Sequence, residues 1–252
     1  MPSLQREPIF DIPAVILALL AVLVAIHVTW TMLLSDEQGV EFLLTFAFIP
    51  ARYDSSLVLG GALPGGGGAQ AWTFVTYSLI HADWTHLCVN AIWLLPFGAA
   101  VARRFGPRRF LAFYAVTAAA GAVAHLATHP GAQAPMIGAS AAISGTMAAA
   151  MRFAFQRGGP LSFWRRGEDA DYRVPAIPLV GVLRDPRVIA FLAAWFGINL
   201  LFGLGSLQLA GQNQEVAWQA HIGGFLAGVL LFSLFDPKPD FPRFDEFDAT
   251  RH

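Results

Sequence analysis

The chain has 252 residues, of which 56% are hydrophobic and 13% charged, with a formal net charge of −1. That is about half the charge of an ordinary soluble domain, which excludes a soluble histidine-rich metalloenzyme, offers no basic surface for nucleic acid, and indicates an integral membrane protein. The single cysteine, Cys88, rules out an internal disulfide.

A short polar leader (residues 1–13) contains Arg6. Residues 14–34 then supply enough apolar length for a first span, too long for a signal-peptide core and followed by no small-residue cleavage site. His27, Thr29 and Thr31 in its outer half are expected to face other helices. The connection 35–80 is too long to be featureless. Within it, residues 40–50 are apolar but too short to span and are expected to form an interfacial or partly embedded hairpin. Pro64-Gly65-Gly66-Gly67-Gly68 reads as a flexible break. A second span is expected over 84–101, ending at Arg103, Arg104, Arg108 and Arg109. A third follows over 110–127, where Ala118-Ala119-Ala120-Gly121-Ala122 favours close helix packing. The fourth helix opens at Met136-Ile137-Gly138-Ala139-Ser140 and runs to about 153. Residues 156–188 are polar, with Arg157, Arg165, Arg166, Arg173, Arg184 and Arg187, and read as a solvent-side loop. A fifth span (188–204), a loop (205–215), a sixth span (217–235) and an acidic tail (236–252) complete the chain.

The fold expected is all-α, six membrane-spanning helices over residues 14–235 between a leader and a tail. Six spans put both termini on one side of the membrane. Of the sixteen Lys and Arg residues only Arg52 falls in a far-side loop, so both termini are expected to be cytoplasmic. The setting expected is a bacterial inner membrane.

The fourth helix is too short to cross the bilayer alone. If Arg152 holds its end at one surface, the helix from Ser140 rises about 18 Å against a hydrocarbon core of roughly 30 Å, which leaves Ser140 about 10 Å below the opposite surface. A hydroxyl at that depth is costly unless it has a task. On the sixth span, His221 lies about 8 Å below the same surface. Gly224 and Gly228 form a Gly-x-x-x-Gly ridge one turn on, which lets a neighbouring backbone approach closely. Contact there would bring hydroxyl and imidazole within hydrogen-bonding reach, the geometry by which a base activates a nucleophile. Taken singly, a membrane serine is more often a packing residue; the agreement in depth is what favours chemistry.

His86 and Asn90 sit four apart on one face of the second span, in the same layer. They read either as an interhelical hydrogen bond or as donors to an oxyanion, the third donor being the Ser140 N–H. No acidic residue lies inside any span, which argues against a metal centre and for a Ser–His dyad rather than a triad. No cofactor is expected.

His81/His86/Asn90, Gly138-Ala139-Ser140-Ala141, and Ala220-His221 with Gly224 and Gly228 together resemble the rhomboid family of intramembrane serine proteases. The patterns are His-x-x-x-x-His-x-x-x-Asn on the second helix, Gly-x-Ser-Gly opening the fourth and Ala-His-x-x-Gly-x-x-x-Gly on the sixth. The resemblance implies that Ser140 is the nucleophile, His221 the general base, and His86, Asn90 and Ser140 the oxyanion hole. It implies an embedded first-loop hairpin, a substrate gate at the fifth helix and its following loop, and transmembrane-helix proteins as substrates in a lipid bilayer. Ala141 stands where the family usually has glycine and creates a rival frame, Ala142-Ile143-Ser144-Gly145. Ser144 lies a turn deeper, with its N–H already bonded in the helix, and is expected to be a packing residue facing the sixth span. The alternatives are a catalytically inactive relative that binds membrane helices, and a small transporter, for which charged or broken helices and internal repeats are lacking.

Overall fold

The computed structural model describes residues 12–54, 63–156, 172–203 and 217–237. Arg6 and most of the leader, Arg157, Arg165 and Arg166, the loop 205–215 and the tail beyond 237 lie outside the described residues.

Among the described residues the chain is helical, with one isolated antiparallel bridge between Phe48 and Met136. Four helical stretches are long and apolar enough to cross a membrane: Ala14–Leu33, Trp84–Phe105, Pro107–Thr128 and Trp218–Phe235. The first is α1 (Ala14–Val28) continued by a π-helical turn (Thr29–Leu33). The second is α4 (Trp84–Trp93) and α5 (Ala99–Phe105), joined through a π-helical stretch, Leu94–Gly98. Pro96, lacking an N–H, accounts for that widening. Helix α6 (Pro107–Thr128) starts one residue after α5 ends, with proline in its first turn, where a missing donor costs nothing. The stretches expected as the fourth and fifth spans hold shorter helices, α7 (Ser140–Ala150) and α9 (Pro186–Gly203), neither of them among the four; a short α8 (Leu179–Val182) precedes α9, and α10 (Trp218–Phe235) closes the bundle.

Helix α7 is enclosed: every residue from Ala141 to Ala150 is buried. Helix α10 runs against both α6 and α7, and small residues make this possible. A methyl on Gly223 would lie 2.5 Å from Cβ of Ala124 on α6, while one on Gly224 or Gly228 would run into the backbone of Ala141 or Gly145 on α7. The Gly-x-x-x-Gly ridge thus permits backbone contact that any side chain would block.

One end of the bundle gathers Arg104, Arg152 and Asp236. Arg104 pairs with Asp236 at 2.6 Å and donates to the carbonyls of Tyr172 and Val174, 2.9 and 2.8 Å away, while Arg152 donates to that of Ile177 at 2.7 Å. The Arg104 guanidinium lies over the rings of Phe153 and Phe232. The ends of α5 and α10, the residues after α7 and the stretch 172–177 are therefore clasped together.

At the other end, the segment between α1 and α4 departs from expectation in one respect. Helix α2 (Asp36–Phe46) is capped by a reciprocal Ser35–Gln38 box. Gly66, Gly67 and Gly68 are not a flexible break but the first turn of α3 (Gly66–Thr76), entered through Gly65 at φ +87°. Packing overrides composition here. Trp72 folds back over Gly68 and donates its indole N–H to the Thr45 carbonyl at 3.0 Å, and Thr76 donates to that of Phe46 at 2.7 Å. Arg52 reaches the Leu44 carbonyl and, at 2.9 Å, that of Pro64. Helices α2 and α3 are bound to each other by these contacts.

In α1, His27 is buried and donates from Nδ1 to the His81 carbonyl at 3.1 Å, as its expected inward orientation requires. Thr29 and Thr31 do not face other helices. Both are exposed, and each hydroxyl bonds the carbonyl four residues back, at 2.8 and 2.5 Å, which satisfies it without a neighbour.

Candidate active site

The turn that introduces α7 is held from three sides. Phe48 and Met136 exchange backbone hydrogen bonds of 3.1 and 2.8 Å, Ala51 N–H reaches the Ala132 carbonyl at 2.9 Å, and Gly138 N–H reaches that of Tyr77 at 3.0 Å. His81 Nε2 accepts from the Ala139 N–H at 3.4 Å, so the His27–His81 contact extends from α1 to the residue before Ser140. Burial, ahead of the nearby His86 and His27 rings, lowers the His81 pKa and keeps it the neutral acceptor this contact needs.

Gly138 has φ +121°, a conformation closed to other residues, and a methyl there would sit 2.8 Å from both Cε1 and Nε2 of His86. Glycine thus lets the chain turn into α7 and lets the His86 ring lie against the backbone two residues before Ser140. Ser140 is the first residue of α7, at an end no side chain caps. Backbone N–H groups in a first turn have no intrahelical carbonyl to bond.

The structure brings Ser140 and His221 together across the α7–α10 contact. Ser140 Oγ is 2.7 Å from His221 Nε2. Both residues are partly exposed, and both line a cavity of about 940 Å³ that also reaches His86, Asn90, Ser144 and Asn199. Residues 134–138 and 217–220 also border it. Asn90 is buried, lines the cavity and donates an amide hydrogen to the His86 carbonyl at 2.9 Å. His86 is held at the start of α4, where its N–H bonds the capping Asp83 carboxylate at 2.8 Å.

Ser144 is buried, as expected of a packing residue. The surfaces of α7 that α10 meets most closely are Ala141 and Gly145, while Ser144 borders the cavity and donates to the Ser140 carbonyl at 2.7 Å. A residue four on from Ser140 shares its face, so Ser144 lies one turn below the nucleophile candidate. Ala141 in turn is accommodated by Gly121 of α6: a methyl on Gly121 would come within 2.6 Å of the Ala141 methyl.

Asn199 was missed in the sequence. It lies on α9, buried at 8% exposure, and its Oδ1 is hydrogen-bonded to Nδ1 of His221. The group behind His221 is an amide and not an acid, and its signal in the sequence is a lone Asn in the apolar run 193–201.

Residues 68–237 match the family model of the Rhomboid domain. The chain is 31% identical over 159 residues to the RHOMBOID-like protein 12, mitochondrial, of Arabidopsis thaliana, covering 60% of this chain and 43% of that protein. It is 40% identical over 57 residues to the Rhomboid-like protein 16, chloroplastic, of the same plant, covering 23% of this chain and 18% of that protein. The chain thus spans less than half the length of these curated relatives. Their organellar names lend no support to a bacterial inner membrane as the setting. With the family model covering most of the sequence, this chain belongs to the rhomboid family, whose members are generally intramembrane serine proteases.

Proposed function

We propose that the chain is an intramembrane serine endopeptidase that cuts transmembrane helices of other proteins near their outer end. The observation that carries this reading is the 2.7 Å contact between Ser140 Oγ and His221 Nε2 on the wall of a cavity. Six spans over residues 14–235, with α7 and α9 as the fourth and fifth, both termini cytoplasmic and α2–α3 as an embedded hairpin, complete the proposed topology. The charged clasp at Arg104 then marks the cytoplasmic end and the dyad the outer one.

In the proposed reaction Ser140 Oγ attacks the scissile carbonyl carbon as its proton passes to His221 Nε2. The oxyanion that forms is held by the Ser140 N–H with His86 and Asn90. Collapse breaks the C–N bond, and the leaving amine takes the proton from His221, leaving an ester on Ser140. Water, deprotonated by His221, attacks that ester; the C–O bond to Ser140 breaks and Oγ recovers the proton. Substrate helices with Gly or Pro near the cut are preferred, since a hydrogen-bonded helix does not present its carbonyls.

The test is incubation of the purified protein with a panel of model membrane helices and location of cuts by mass spectrometry. The reading expects cuts near the outer end that vanish in Ser140→Ala and His221→Ala. An inactive helix-binding relative would bind the same panel without cutting it.

A further inference from the structure

Asn199 touches His221 on the side away from the nucleophile, and the reaction just described assigns it nothing. We propose that Asn199 is a positioning residue that holds His221 in the one tautomer and orientation in which Nε2 can take the proton of Ser140. This rests on the serine-protease reading.

The Trp195 carbonyl oxygen can only accept, so the Asn199 atom 2.8 Å from it is the amide nitrogen Nδ2, as the hydrogen bond requires. The amide oxygen Oδ1 is thereby turned toward Nδ1 of His221. That oxygen can only accept, so Nδ1 carries the hydrogen. A neutral imidazole protonated at Nδ1 has its lone pair on Nε2. The Ser140 hydroxyl, 2.7 Å from Nε2, must then be the donor. From Trp195 to Ser140 each hydrogen bond sets the direction of the next, and a general base requires that outcome.

The surroundings keep the amide in place. Asn199 and Trp195 are each at most 8% exposed, and the Trp195 ring stacks on Phe225 of α10 at 4.9 Å. The carbonyl that orients Asn199 thus lies on a helical turn packed against the helix that carries His221. A neutral amide also fixes the tautomer without placing an unpaired charge in the bundle, which a carboxylate would do while the imidazole is neutral. When His221 gains its second proton, the Nδ1–H bond to Oδ1 is retained.

The competing explanation is that Asn199 merely ties α9 to α10. The experiment compares the full chain with Asn199→Leu, close in size but without an acceptor, and Asn199→Asp, which keeps an oxygen in place. Cleavage of a reporter membrane helix is followed as kcat and KM, with thermal midpoints in the same detergent. Loss of the tautomer lock in Asn199→Leu lowers kcat by about 10- to 100-fold at nearly unchanged KM and midpoint, and Asn199→Asp, which keeps the acceptor but adds a charge, restores part of it and moves the pH profile of kcat upward, because a carboxylate stabilises the imidazolium. Wild-type kcat in Asn199→Leu, or a loss that follows only a fall in midpoint, overturns the proposal while leaving the protease reading intact. Wild-type protein that cuts no helix overturns both.

Discussion

Gly224 of α10 and Ala141 of α7 meet backbone to backbone: a methyl on Gly224 would run into the Ala141 carbonyl and come within 3.2 Å of its Cα. Ala141 follows Ser140 and Gly224 lies one turn beyond His221, so this contact sets the spacing of the two reacting side chains. Gly224→Ala is therefore expected to push α10 from α7, destabilise the fold by about 1–3 kcal/mol and abolish cleavage. A thermal melt beside a cleavage assay checks it; wild-type values in both would show that the helices can separate without cost.

The two serines of α7 are distinguished by exchange. Ser144 donates to the Ser140 carbonyl, whereas His221 Nε2 is engaged by Ser140. Ser144→Ala is expected to retain activity within about threefold, whereas Ser140→Ala loses at least about 10⁴-fold. The reverse order of effects would move the nucleophile to the rival frame.

Gly138 combines a positive φ with the His86 ring at its Cα. Gly138→Ala is expected to cost about 1–3 kcal/mol of local strain and to displace either His86 or the start of α7. Fluorophosphonate labelling should slow by about 100-fold or more, the weight of one lost oxyanion donor. An unchanged rate would remove His86 from the proposed site.

The clasp at the charged end predicts a contrast in stability. Arg104 and Asp236 have side chains only 7% and 17% exposed, and the guanidinium also serves two carbonyls. Arg104→Ala is expected to lower stability by about 3 kcal/mol, since it strands a partly buried carboxylate. Arg187, more than half exposed and paired with Asp185 two residues away, should tolerate alanine with no measurable shift in midpoint. Equal midpoints for both variants would contradict the clasp.

The elements that were legible in the sequence are those where one constraint dominates. Span length and the placement of arginines located the long helices, and rise per residue put Ser140 and His221 at one depth. The Gly-x-x-x-Gly ridge said which helices touch. What was not legible depended on tertiary partners. The glycines at 66–68 look flexible until Trp72 is seen folding back over Gly68, and Thr29 and Thr31 look like interhelical donors until their own carbonyls prove sufficient. Asn199 escaped because an amide pairs with a neutral imidazole as well as an acid pairs with a charged one, and sequence spacing across a loop does not reveal which turn of α9 faces His221.

The claim on which everything rests is that Ser140 is a nucleophile activated by His221. Treating the purified protein with a fluorophosphonate and mapping the adduct by mass spectrometry tests it most directly. The account predicts one adduct, on Ser140, lost in His221→Ala; an adduct that persists in His221→Ala, lies on Ser144, or never forms would contradict it.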